Sequence, residues 1–166
     1  MALFKLSILI CLFRRGVDDI PNSLSIFSKT LLIYFFISTL LKTLIIGAPD
    51  ALIQTGYELG LMGTFIFLLL LAVRRHTVFL KTMTTLFMCE SVIACCALPV
   101  TLWLSLSESS EILIPFYSHL VFVAWGLAVI AYILQQILVK KISFGLKLAC
   151  IYLVQIFAVP LVLINI

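Results

Sequence analysis

Phe65-Ile66-Phe67-Leu68-Leu69-Leu70-Leu71 is an unbroken apolar run that stops just short of Arg74-Arg75-His76. A strand of a membrane barrel would be ~10 residues long and would alternate polar with apolar side chains. This run does not alternate, so it reads as the interior of a helix that crosses a bilayer. Working outward, four more stretches have the same character. The five spans are 24–47, 57–73, 78–104, 112–139 and 144–166. Each is close to the ~17–25 residues that a hydrocarbon core of ~30 Å requires, with allowance for tilt.

The whole composition agrees. Of 166 residues, 64% are hydrophobic and 11% charged, and the mean hydropathy is +1.29. Soluble domains are about 45–50% apolar and about 25% charged. A soluble globule of this size still exposes about 30% of its chain surface, too much for so apolar a chain. Disordered chains are apolar-poor. The expected fold class is therefore all-α: an integral membrane bundle of five transmembrane helices. Residues 24–166 form the transmembrane domain, and the connectors are too short for any soluble module.

Residues 1–23 precede it. The apolar stretch from Ala2 to Phe13 reaches only ~18 Å as a helix, too short to span. Arg14 and Arg15 follow it, where a signal peptide would have a small-x-small cleavage site. It reads as an uncleaved helix lying at the interface.

Basic residues set orientation. Lys5, Arg14, Arg15 and Lys29 flank the start of the first span, Arg74, Arg75 and Lys81 lie between the second and third, and Lys140, Lys141 and Lys147 lie between the fourth and fifth. The opposite loops carry Asp50, Glu58, Glu108 and Glu111, and only Lys42 points that way, where it snorkels. The expectation is a multi-pass protein of a bacterial inner membrane, N-terminus cytoplasmic and C-terminus outside. The net charge of +4 is spread over helix ends, so nucleic acid is not an expected partner.

Glu90 is the acid well inside a span, where a carboxyl marks function by default. Ala94, Ala97 and Thr101 continue its face as a small-residue stripe suited to helix packing. Measured along each span at ~1.5 Å per residue, Tyr34, Thr64, Tyr132, Tyr152 and Gln155 fall in the same layer. The plain reading is a protonated Glu90 that glues helices by one hydrogen bond. The sharper one is a proton or substrate relay. Gly56, Gly60 and Gly63 make a GxxxG-type face for close helix contact. Arg14, Arg15, Asp18, Asp19 and Pro21 form a cytoplasmic contact segment.

Catalytic motifs are absent: no GxxxxGK[ST], HExxH or GxSxG occurs, and no intramembrane Ser has a His to activate it. The five cysteines lack metal spacing. No cofactor, metal site or enzymatic activity is expected.

The short apolar N-terminal segment, the stretch Arg14-Arg15-Gly16-Val17-Asp18-Asp19-Ile20-Pro21-Asn22-Ser23, and five spans with almost no loops resemble small proteobacterial five-span membrane proteins. These are similar in plan to the Ypt-interacting (YIP-type) family, with Asp19-Ile20-Pro21 as the local motif. The resemblance implies a non-enzymatic scaffold in membrane organisation. The expected function is thus an accessory subunit, scaffold or assembly factor whose partners are the bilayer and other membrane proteins or itself. The alternative is a small transporter or proton-coupled permease that uses Glu90.

Overall fold

A computed structural model describes residues 2–107, 112–138, 145–152 and 154. These residues are helical with short turns and no strand. The elements are α1 (Ala2–Cys11), α2 (Leu24–Ile46), α3 (Ala48–Ala72), α4 (Phe79–Leu106) and α5 (Leu113–Leu138), followed by a helical stretch at 145–152. Four helices are long and apolar enough to cross a membrane: α2, α3, α4 with the short turn before it, and α5. Most of the expected fifth span, including Gln155, lies outside the described residues, as do Glu108, Glu111, Lys140 and Lys141.

Three of the expected spans match their helices to within two residues at each end. The second does not, since α3 starts at Ala48 rather than Tyr57. Ala48-Pro49-Asp50 was expected to separate two helices, yet it opens one. Pro in the first turn sacrifices an amide that has no helical acceptor anyway, and Asp50 faces the positive end of the helix dipole. The reversal between α2 and α3 falls on Gly47 alone, whose φ of 88° suits a residue without Cβ.

Helix α4 is the hub. It packs against α1, α2 and α5 and touches α3, while α2 and α3 pair as a hairpin. Its buried residues include Thr82, Thr84, Thr85, Ser91 and Thr101. Each of these hydroxyls donates to the carbonyl four residues back, at 2.6–3.0 Å. That internal satisfaction is what lets a hydroxyl-rich helix sit inside an apolar bundle. Phe87 fills the centre, with the rings of Tyr34 and Phe27 at 5.1 and 5.9 Å. Outward-facing residues such as Leu32, Phe36, Ile53 and Val121 remain largely exposed. So much apolar surface is untenable in water and natural in lipid.

The N-terminal segment is docked rather than free. At the end of α1, Phe13 adopts φ 60°. The amides of Phe13 and Arg14 bond back to the carbonyls of Ile10 and Leu9, a Schellman closure. The chain then runs along α5, which holds it with three side chains on one face. Trp125 Nε1 donates to the Cys11 carbonyl at 3.0 Å. The Tyr132 hydroxyl lies 3.3 Å from the carbonyls of both Phe13 and Arg15. Gln136 Oε1 accepts from the Val17 amide at 2.8 Å. Val17 and Ile20 are buried beneath this segment, while Arg14, Arg15, Asp18, Asp19 and Pro21 are exposed.

At the same end, Lys81 Nζ donates to the Asp18 carbonyl at 2.7 Å, and Arg75 donates to the Ile137 carbonyl at 3.0 Å. The fold thus gathers Arg14, Arg15, Arg74, Arg75 and Lys81 at one end of the bundle.

Candidate functional site

Helices α2 and α5 both lean on α4, and between them lies a cavity of about 250 Å³. Helix α2 lines it with Tyr34, Ser38 and Lys42. Helix α4 contributes Glu90 and Ala97, and α5 contributes His119, Phe122 and Gly126. Glu58 of α3 and Tyr152 complete the wall.

Lys42 and Glu58 form a mostly buried ion pair here, Nζ to Oε2 at 2.5 Å. The ammonium also donates to Ser38 Oγ at 3.0 Å and Thr55 Oγ1 at 3.3 Å. An ammonium has three N–H donors, and all three are used. Helix geometry explains why Glu58 points inward. Ala51, Thr55, Glu58, Met62, Ile66 and Leu70 are the buried residues of α3, and their spacing of three or four makes one stripe.

Glu90 faces the same cavity from α4. Its carboxyl makes no hydrogen bond to any described residue, and both Lys42 and Glu58 are close enough for their charges to act on it. Farther out, His119 Nδ1 lies 3.2 Å from Thr101 Oγ1, linking α4 to α5.

The expected polar layer is thus split. Glu90, Tyr34 and Tyr152 share the cavity. Thr64 is exposed on α3 and donates to the Gly60 carbonyl at 2.8 Å. Tyr132 sits at the basic end and holds the N-terminal segment, and Gln155 lies outside the described residues. Lys42 and Glu58, expected at the outer interface, belong to the site. The buried stripe of α3 was the sequence signal for Glu58. Lys42 had none beyond its single basic charge on the acidic side.

Gly56, Gly60 and Gly63 lie on the side of α3 away from its buried stripe. A Cβ built at any of them meets no atom within 4 Å among the described residues. A second cavity of about 400 Å³ lies between α1, α2 and α4. It is larger, but Lys29 is its one charged lining residue, so the chemistry concentrates in the first.

No family model matches the chain, and neither a curated protein nor a solved structure does.

Proposed function

We propose that this protein is a small cation- or proton-coupled permease of five spans, with Glu90 as its exchangeable carboxyl. One observation carries the reading: a carboxyl without a hydrogen-bond partner among the described residues shares an intramembrane cavity with a mostly buried Lys–Glu pair. Acids accompanied by a base are the pattern of ion and substrate pathways in membranes. Lys42, Glu58, Glu90 and His119 line this cavity, and with the imidazole uncharged it is electrically neutral only when it holds one more positive charge. A proton on Glu90 supplies it at rest, and a cationic substrate supplies it in exchange. The basic end of the bundle is the cytoplasmic one under the positive-inside rule, and residues 144–166 supply the last span with its end outside. An inner bacterial membrane fits the short loops.

The test is infrared difference spectroscopy of the full chain in lipid. A carboxylic C=O band that changes with bulk pH, and is missing from Glu90→Gln, is the expected result. A Glu90 band that stays fixed across the accessible pH range removes the exchange role.

A second reading is favoured by the open glycine face. Gly56, Gly60 and Gly63 provide a close-approach surface for another membrane protein or a second copy, as an accessory subunit or scaffold would need. Replacing Gly60 by Leu disrupts such an association. Unchanged oligomer size in detergent together with unchanged partner recovery sinks this reading.

A further inference from the structure

We propose that the cavity between α2 and α5 binds a small aromatic organic cation, with Glu90 as its counter-ion. This rests on the permease reading and names its class of substrate.

The argument is one of unclaimed chemistry. Lys42 has no donor left for an anion, because Ser38, Thr55 and Glu58 take all three. The same contacts occupy one lone pair on each of the Ser38 and Thr55 hydroxyls. What remains is the Glu90 carboxylate, an acceptor without a described partner in a low-dielectric site, where an uncompensated charge is expensive. A hard metal ion needs about six oxygen ligands, and the uncommitted groups around Glu90 do not offer them. They are the rings of Tyr34, Phe122 and Tyr152, with the His119 imidazole toward the Thr101 end, set among aliphatic side chains. Aromatic faces attract ammonium groups, and apolar walls accept the hydrocarbon of an organic cation. A volume of about 250 Å³ sits below the ~300–1,000 Å³ of drug-sized pockets, so the ligand has a single ring. Gly126 keeps that room open, since a Cβ built there meets nothing within 4 Å. Binding is an exchange: the cation enters, and the proton on Glu90 leaves to solvent.

The experiment uses the full chain in lipid nanodiscs and benzyltrimethylammonium, whose charge is independent of pH. Calorimetry in two buffers of different ionisation heat reads affinity and proton release together. The expected result is one-to-one binding with up to one proton released. Affinity rises by up to about tenfold per pH unit over the range in which Glu90 holds its proton. Glu90→Gln loses binding, and Glu90→Asp, which keeps a carboxyl, retains proton release. Gly126→Leu fills the cavity from α5 without removing a charged group and also loses binding, so the test survives if the Glu90 variants fail to fold.

Binding that persists undiminished in Glu90→Gln, or neutral benzyl alcohol binding as well as the cation, overturns the proposal. If the Glu90 band titrates but the cation does not bind, the substrate class is wrong and the permease reading stands. If the band is silent and nothing binds, both fall.

Discussion

The Lys42 ammonium and the Glu58 carboxylate meet at 2.5 Å across the α2–α3 hairpin, 16 residues apart in sequence. Both side chains are mostly buried, at 15% and 12% exposure. Removing one partner of such a pair strands a charge, which costs about 3–5 kcal/mol. Replacing both by apolar residues of similar size is near neutral. Lys42→Met alone is therefore expected to unfold at much lower SDS than the wild type, and Lys42→Met with Glu58→Leu to recover most of the loss. Additive losses in the double variant contradict the pairing.

Trp125 donates to the Cys11 carbonyl, which lies at the end of α1 where helical donors run out. Trp125→Phe keeps most of the ring and removes the N–H. Leaving that carbonyl unmet costs about 1–3 kcal/mol. The N-terminal segment then opens more often, and trypsin cleaves after Arg14 or Arg15 faster, by about tenfold for each 1.4 kcal/mol. Equal cleavage rates for the two proteins remove the clamp role.

Arg74 closes α3 with φ 57°, and the Arg74 and Arg75 amides bond back to Leu71 and Leu70. A left-handed non-glycine residue costs about 1–2 kcal/mol. Arg74→Gly is expected to raise thermal stability in detergent by up to about that amount. Phe13 has the same backbone conformation, but its ring meets Tyr132 edge-on with centroids at 5.2 Å. Phe13→Gly exchanges strain for packing and gains less. Equal gains at the two positions contradict this account.

The glycines divide into two kinds. A Cβ at Gly145 collides with the carbonyl oxygen of Ala131 on α5. Gly145→Ala therefore pushes backbone against backbone and destabilises by about 1–3 kcal/mol. Gly60 has open space, so Gly60→Ala is neutral or stabilising by up to about 1 kcal/mol through helix propensity. Thermal melts in detergent distinguish them. Similar losses at both positions mean that the face bearing Gly60 is covered in the native protein.

Helix ends were legible wherever apolarity and charge change together, as at Leu24, Leu106, Leu113 and Leu138. The start of α3 was not, because Pro49 and Asp50 break a helix in its interior and favour its first turn. That Glu90, Tyr34 and Tyr152 share one layer was readable from depth along each helix, and they line one cavity. Depth alone carries no information about facing, which is why Thr64 joined the expected layer. Lys42 and Glu58 were each assigned to the interface because a lone charge is too costly in lipid. Only the pairing of two antiparallel helices about Gly47 lets each charge satisfy the other. The path of residues 12–20 has no periodicity to read, so the grip of Trp125, Tyr132 and Gln136 on it was invisible.

That grip spans 114 residues, from Cys11 to Trp125. Ribosomes add about 5–20 residues per second, so α5 is completed on the order of ten seconds after α1 has left the tunnel. During that interval the Cys11 carbonyl lacks its eventual indole donor, and water or lipid headgroups must serve it. The clamp that holds the end of the first element made therefore waits for α5. Biogenesis of this protein carries a waiting period in which its N-terminal segment is open to the insertion machinery and to proteases.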